Sequence, residues 1–333
     1  METTKESIKK LRSKDFWIKN SCFVMLILLV ILSAILSNIF FTKQNIFNLL
    51  RQSISLLSMS LGMLCVILTG GIDLSTGAVM GLANMMVAKM LSDRLGSSVS
   101  GLLLSILATL VIGIALGGFS GALVTWGRMA PFIVTLATMQ IARGCAYLVT
   151  NGQPIRLDTK LSGISLLTAF GNRTMPGLGL PWPVLLGLVT ILVFYFVMKY
   201  TSPGRIMIAI GSNEKAVRLA GISITRYKML AYCISGFTSA LAGVVVTSRA
   251  STGTPITGDG FELDAIAACV IGGASLSGGR GTVLNTVIGV FVLQLIANIL
   301  NLLSVPSYPQ QIIKGLVIII AVLAQNQTSN SDK

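Results

Sequence analysis

Two stretches of the chain combine adjacent glycines with polar side chains inside long apolar runs. The stretch "GGIDLS" begins at Gly70, and "GGASLS", which shares four of its six positions, begins at Gly272. Adjacent glycines followed by polar residues weaken a helix, so each stretch predicts a helix break. Asp73 in the first stretch has three interpretations: a ligand for substrate or a proton, a cap for the helix that begins near Ser75, or a latch paired with a basic residue.

Acidic residues also precede the second break. Glu262 and Asp264 lie about ten residues before Gly272, at the predicted start of a short helix, where negative charge complements the helix dipole. This stabilising role and a role in binding both fit the two carboxylates.

The sequence lacks the residue types and motifs on which many catalytic centres depend. The sequence has no histidine, which removes imidazole bases and the commonest metal ligand. It also has no Gly-Lys-Ser or Gly-Lys-Thr of a phosphate-binding loop. We therefore predict no catalytic residue and no metal site, and we expect any ATP hydrolysis to come from another polypeptide.

The composition predicts the medium that surrounds the chain. Of 333 residues, 53% are hydrophobic and 11% are charged, whereas about a quarter are charged in soluble domains. Apolar runs near the length that crosses a bilayer, about 17 to 25 residues, recur from residue 20 to residue 325. The sequence therefore predicts an all-α integral membrane protein in a lipid bilayer.

The net charge of +14 indicates topology rather than nucleic-acid binding. Six basic side chains lie in residues 1–19 and six more in residues 199–228, and basic residues concentrate in cytoplasmic loops. Both segments are therefore predicted to lie inside the cell.

The sequence contains ten apolar runs, and their number agrees with this orientation. Six runs, an even number, separate the two basic segments: 20–41, 46–69, 75–91, 98–126, 131–150 and 181–199. Four more follow at about 226–248, 262–276, 281–303 and 310–325. We expect a cytoplasmic leader (1–19), a transmembrane domain (20–325) with an external loop (151–180) and a cytoplasmic loop (200–225), and a cytoplasmic tail (326–333).

One of these runs is too short to cross the bilayer. The segment from Glu262 to Gly272 covers roughly half of a 30 Å hydrocarbon layer at about 1.5 Å per residue. Broken helices are tolerated where the freed backbone is buried in protein or lines a cavity, and they point to a transport pathway. The candidate pathway residues are Gly70, Gly71, Asp73, Asn151, Gln153, Glu262, Asp264, Gly272, Gly273 and Ser275.

The second basic segment contains its own helix signals. Pro203 interrupts the preceding helix, and "SNEKAVRLAGI" then offers Ser212 or Asn213 as a cap, Glu214 in the first turn and Gly221 at the end. A compact cytoplasmic helix suits docking to a partner, and a solvated connector on the lipid headgroups fits the same pattern.

Six blocks occur in a recognisable order from about residue 46 to residue 325. They are "LTGGIDLSTGAVMGL", "PFIVTLATMQIARG", "TNGQPI", "GRIMIAIGSNEKAVRLAGI", "ELDAIAACVIGGASLSGGRGT" and "SYPQQIIKGLVIIIAVL". Together they resemble the membrane permease of bacterial ribose-type ATP-binding-cassette importers.

This resemblance implies a multi-pass permease subunit of the bacterial inner membrane that moves a monosaccharide, ribose first among them. Such a subunit would form a homodimer and receive sugar from an extracytoplasmic binding protein. Two cytoplasmic ATPase modules, often fused in one chain, would hold ATP and Mg²⁺, so that this chain binds no cofactor itself. Both termini would be cytoplasmic. The coupling helix that docks on the ATPase would involve Gly211, Asn213, Glu214, Ala216, Arg218 and Gly221.

One segment departs from the family's ribose permeases. In "STGTPITGDGFELDA", Thr254 stands where Gln is usual, and Asp259 and Phe261 replace Thr and Tyr. Other sugars and autoinducer-2 therefore remain alternatives to ribose. A branched-chain amino-acid permease and an ion-coupled secondary transporter are alternatives of other classes.

Overall fold

The computed structural model describes residues 21–317 and residue 319. The predicted leader and tail, and the end of the run 310–325, lie outside the described residues. In chain order the helices are α1 (Ser21–Leu36), α2 (Lys43–Leu68), α3 (Thr76–Asp93), α4 (Val99–Thr125), α5 (Pro131–Leu148), α6 (Ser162–Asn172), α7 (Trp182–Tyr200), α8 (Ser202–Ser212), α9 (Glu214–Leu219), α10 (Ile224–Ala250), α11 (Phe261–Ile271) and α12 (Val283–Leu302). Residues 307–317 form a further helix, α13. The all-α architecture is confirmed.

Helix α2 lies at the centre of the molecule. It packs against α7, α10, α11 and α12, and 83% of its most apolar stretch is buried, against 28% for α4 and 22% for α7. These three helices, together with α10 and α12, are long and apolar enough to cross a membrane. Apolar side chains that remain exposed on α4 and α7 therefore form a surface suited to lipid.

Glycines bring α4 and α10 into close contact. A β-carbon on Gly117 would collide with the Tyr232 carbonyl oxygen, and one on Gly113 would lie 2.5 Å from the Gly236 carbonyl oxygen. Small residues at such crossings allow helix backbones to approach in a membrane. This contact fixes α10 beside the helices that carry the candidate site.

The segment between α10 and α11, residues 251–260, returns along the face of α3. A β-carbon on Gly253 would lie 2.5 Å from the Ala88 β-carbon, and one on Gly81 would lie 2.6 Å from the Thr257 carbonyl oxygen. Near the start of α3, Gly77 leaves no room for a side chain beside the Gly258 carbonyl. We call residues 251–260 the re-entrant segment. Small residues on α3 create the groove that holds it.

Two short strands anchor the start of this segment. Strand β1 (Ile155–Arg156) pairs antiparallel with β2 (Thr252–Gly253), with Ile155 opposite Gly253. This pairing joins the segment predicted as the external loop to the end of α10.

Two helices were not predicted from the sequence. Helix α6 lies inside the predicted external loop 151–180, and α8 begins directly after α7, where Pro203 occupies the first turn. Proline ends the preceding helix but is well suited to the first turn of the next one. The predicted short helix before Gly272 is confirmed as α11, which has 11 residues and is about 16 Å long.

Candidate functional site

The first glycine pair ends α2 in a Schellman turn. Gly70 has a φ of 78°, and its N–H donates to the Ile67 carbonyl at 2.9 Å. The Gly71 N–H donates to the Val66 carbonyl at 3.1 Å. These two hydrogen bonds, together with the left-handed conformation of Gly70, satisfy carbonyl groups that are left free at a helix end. The predicted break is confirmed.

The second glycine pair ends α11 with the same turn, shifted by one residue. Here Gly273 has the positive φ, 83°, and donates to the Val270 carbonyl at 2.8 Å, while the Ala274 N–H donates to the Cys269 carbonyl at 2.9 Å. Gly70 is therefore the structural equivalent of Gly273. Both stretches break helices, but their four matching residues do not occupy equivalent positions.

The end of α2 and the loop after α11 meet α8 at one point, which we call the glycine junction: Gly70, Gly211, Gly278 and Gly279. The Gly279 N–H donates to the Leu68 carbonyl at 3.1 Å. A β-carbon on Gly278 would lie 2.9 Å from the Gly211 α-carbon and 2.9 Å from the Gly70 nitrogen. Main chain therefore touches main chain where α2, α8 and the loop after α11 come together.

Helix α9 follows α8 directly and is the short helix predicted from the sequence. The Asn213 side chain accepts from the Ala216 N–H at 3.0 Å, which confirms it as the cap. Gly221, with a φ of 75°, lies just beyond the end.

Glu214 connects α9 to the beginning of α10. Its carboxylate accepts from Lys228 Nζ at 2.7 Å and from Arg218 Nη2 at 3.3 Å. The hydrogen bond from Lys228, together with the charges of Lys228 and Arg218, holds the pKa of Glu214 below its usual value. Glu214 is therefore ionised near neutral pH, and it ties the small helix to a long one.

A cleft of about 720 Å³ opens beside α9. Glu214, Arg218 and Lys228 line it together with Arg128 and Met129, which come from the turn between α4 and α5. Apolar and charged groups thus share a concave surface next to the predicted coupling helix.

Asp73 is buried at the entry to α3 and is 1% exposed. Its Oδ1 accepts from the Ser75 N–H at 3.0 Å and from Ser75 Oγ at 2.6 Å, and its Oδ2 accepts from Ser235 Oγ at 2.7 Å. No described basic side chain forms an ion pair with it. This geometry fits a turn-stabilising group that also ties the break to α10 better than a latch with a basic residue.

The acidic residues of α11 have separate environments. Asp264 is buried, and its Oδ2 lies 2.7 Å from Lys314 Nζ on α13. Glu262 lies beside Gly77, and its buried Oε2 has no hydrogen-bond partner in the described part of the chain. Both lie in the first turn of α11, as predicted.

The remaining candidates do not form one cluster. Asn151 and Gln153 are exposed in the turn after α5, whereas the beginning of α5 adjoins the first break, where Thr135 Oγ1 donates to the Ile72 carbonyl at 3.3 Å. The length of α5, about 27 Å for 18 residues, separates them. Ser275 lies in the loop after α11, where its hydroxyl contacts Ser277 Oγ at 2.7 Å.

Sequence reasoning missed two side chains that hold the re-entrant segment. The buried Asn84 amide donates to Thr247 Oγ1 at 2.7 Å and accepts from the Thr254 N–H at 2.7 Å and from Thr257 Oγ1 at 2.9 Å. Arg143 donates to the carbonyls of Pro255 and Thr257. The signal that could have found them is an amide and a guanidinium inside apolar helices, where polar groups are expensive.

Membrane-length helices with two helix breaks, one beside α8 and next to the short polar helix α9, are typical of transport proteins. Residues 45–322 match the family described as branched-chain amino acid transport system / permease component. The chain belongs to this family, and it is the membrane permease of an ATP-binding-cassette importer.

Individual relatives match over nearly the whole chain. The ribose import permease protein RbsC of Bacillus subtilis is 44% identical over 92% of this chain and 92% of its own length. Its counterpart in Haemophilus influenzae is 41% identical over 93% and 94%, and that of Escherichia coli K12 is 37% identical over 98% and 99%. No solved structure matches the chain.

Proposed function

We propose that this chain forms the translocation pathway of a ribose importer. The observation that carries the proposal is the similarity to permeases named for ribose import, at 37% to 44% identity over at least 92% of the chain. Permeases named for D-allose and L-arabinose transport are 33% identical, which makes ribose the first substrate to test. Because Thr254 and Asp259 differ from the residues that are usual in ribose permeases, allose and arabinose are the sugars to compare with ribose.

The energy source in this proposal is a separate cytoplasmic ATPase that holds ATP and Mg²⁺. Its docking site is α9 with the adjoining cleft, where Glu214 and Arg218 are partly exposed. Docking there would act on α8, and through the glycine junction on the ends of α2 and α11. A push on the short helix would therefore reach the end of α2 through direct main-chain contacts and the end of α11 through the loop that follows it.

The other partners follow from the same proposal. A sugar-binding protein would dock on the opposite face, because α10 is about 40 Å long and carries its far end away from α9. The chain would act as a homodimer in the inner membrane with both termini in the cytoplasm. Alternating access would then follow from ATP-driven closure of the two ATPase modules.

The first test is to purify the tagged chain from its host in mild detergent and to identify its companions by mass spectrometry. Recovery of an ATPase with phosphate-binding loops supports the proposal. A chain that purifies alone and moves solute with an ion gradient overturns it in favour of a secondary transporter.

The substrate is tested by uptake of labelled ribose in a strain that lacks its own ribose permease. We expect unlabelled ribose to compete more strongly than allose or arabinose. Stronger competition by another sugar would reassign the substrate and leave the importer class intact.

A further inference from the structure

One buried amide holds most of the re-entrant segment. Asn84, on α3, is fully buried. Its Nδ2 donates to Thr247 Oγ1 on α10 at 2.7 Å and to the Thr252 carbonyl at 3.0 Å. Its Oδ1 accepts from the Thr254 N–H at 2.7 Å and from Thr257 Oγ1 at 2.9 Å. An amide side chain has two N–H donors and an oxygen with two lone pairs, so these bonds use the whole capacity of Asn84.

Arg143 holds the same segment from α5. Its Nη1 donates to the Thr257 carbonyl at 2.9 Å and also to the Pro255 carbonyl. Hydrogen bonds from a charged donor are roughly twice as strong as neutral ones. Among the described residues, Arg143 forms no ion pair that would compete with these bonds. We call Asn84 and Arg143 the clamp.

The clamped segment leads directly to the start of α11. Gly258 lies against the first turn of α3, where a β-carbon on Gly258 would collide with the Gly77 carbonyl oxygen. The chain then turns at Gly260, whose φ is 77°, and the Phe261 N–H donates to the Gly258 carbonyl at 3.1 Å. The start of α11 is therefore seated on α3 by close main-chain contact.

The other end of α11 leads to a weaker connection. The loop after α11 reaches α2 and α8 at the glycine junction, where one hydrogen bond joins different segments among the described residues, from the Gly279 N–H to the Leu68 carbonyl. The re-entrant segment makes three hydrogen bonds to Asn84 and two to Arg143. Polar groups freed at membrane depth find no water to replace such bonds. Rearrangement at the junction therefore costs far less than release of the clamp.

We infer that Asn84 and Arg143 are positioning residues for transport. They keep the re-entrant segment and the start of α11 on α3 as one rigid unit throughout the cycle, so that structural change falls on the glycine junction. Neither side chain has to contact the solute in this role. The inference rests on the proposed function for the ATP-driven cycle, but the rigidity of the unit depends only on contacts within the chain.

Rigidity is tested by hydrogen–deuterium exchange of the complete transporter in lipid nanodiscs. The two states compared are the nucleotide-free transporter and the transporter with ATP bound to an ATPase variant that cannot hydrolyse it. We expect exchange in residues 251–260 to stay within about twofold, and exchange in residues 275–282 to change about tenfold or more, because local opening follows the local bonds. A tenfold change in 251–260, or no change in 275–282, would overturn the inference.

The positioning role is tested with two variants of the clamp. Thr257→Val keeps the shape of the side chain and removes its hydrogen bonds to Asn84 Oδ1 and Thr254 Oγ1. Asn84→Asp keeps the acceptor oxygens, but an ionised carboxylate cannot donate to the Thr252 carbonyl. Thr257→Val is the milder change, so it keeps the test open if Asn84→Asp does not fold.

Each variant has a matched control away from the clamp. Thr190→Val removes a hydroxyl that donates within α7 to the Leu186 carbonyl. Asn298→Asp alters a buried amide that pairs with Asn45 between α12 and α2. Both controls remove hydrogen bonds of buried side chains without touching the re-entrant segment.

In both clamp variants we expect exchange in residues 251–260 to rise about tenfold or more and ribose uptake per ATP hydrolysed to fall about fivefold or more. The controls should lower the Tm by a similar amount but leave both readouts within about twofold of wild type, because lost stability reduces the amount of folded protein and not its uptake per ATP. Clamp variants with a lower Tm and unchanged uptake per ATP would overturn the positioning role. If the wild-type assembly moves no ribose, the proposed function fails, whereas exchange in the purified chain still decides whether the clamp holds the segment.

Discussion

Gly211→Ala is expected to uncouple ATP hydrolysis from transport. Gly211 lies in α8 without a positive φ, so alanine introduces no backbone strain there and favours the helix. The added β-carbon would collide with the Leu68 carbonyl oxygen and the Gly279 nitrogen, and it would lie 2.9 Å from the Gly278 carbonyl carbon. The substitution therefore acts mainly by forcing α8 away from the end of α2 and from the loop after α11.

The size of the effect follows from two losses and one gain. Overpacking costs about 1–3 kcal/mol, and loss of the bond from the Gly279 N–H to the Leu68 carbonyl costs about 1 kcal/mol. Alanine returns up to about 1 kcal/mol of helix propensity. A net change of about 1–3 kcal/mol in the coupling between sites corresponds to about a 5- to 150-fold change in an equilibrium.

The assay measures ribose uptake and ATP hydrolysis on the same proteoliposomes. We expect uptake per ATP to fall by roughly this factor while hydrolysis continues. Gly315→Ala is the matched control, because Gly315 lies in helix α13 and a β-carbon there would meet no atom within 4 Å. Gly278→Ala tests the same junction from the other side. Unchanged uptake per ATP in both junction variants would refute the reasoning.

Three further predictions concern carboxylates. Since the folded-state pKa of Glu214 is lowered, its ion pairs stabilise the protein above the unfolded pKa of about 4.3, and this contribution disappears as the pH falls through the lower folded-state pKa. The difference in Tm between wild type and Glu214→Gln should be small, because the pair is partly exposed. This difference should be constant near neutral pH and vanish in acid. A difference in Tm that grows in acid would contradict the prediction. Asp73→Asn should keep most of the thermal stability that Asp73→Ala loses, about 1–3 kcal/mol for the partners left unsatisfied, whereas complete loss of transport in Asp73→Asn would favour a charge-dependent role. Asp264→Asn and Lys314→Met should each destabilise the protein by about 3–5 kcal/mol as single changes and by much less together, as a double-mutant cycle of unfolding can measure; additive losses would show that the pair contributes nothing.

The elements that follow local rules could be predicted from the sequence. Asn213 caps α9 because its side chain bonds within its own turn, and the glycine pairs end α2 and α11 because only glycine enters the left-handed region easily. The half-membrane length of α11 followed from counting residues between Glu262 and Gly272. Each of these features depends on neighbours within a few residues.

The rest depends on contacts between distant segments. The two similar stretches each predicted a helix break, yet packing places the positive φ on Gly70 in one and on Gly273 in the other. The glycine junction joins three segments that are more than sixty positions apart in the sequence, and Arg143 reaches carbonyls of the re-entrant segment. Periodicity and composition contain no information on such pairings, so Arg143 could be noticed only as a charge in an apolar helix.

The glycine junction also makes the coupling to ATP hydrolysis independent of the choice of solute. Its contacts are main chain to main chain, so they do not depend on the identity of any side chain that a sugar could touch. Side chains elsewhere in the molecule that contact the solute contribute no atom to these contacts. Substitutions of such side chains can therefore change the preference for the solute while the coupling to ATP hydrolysis stays as it is.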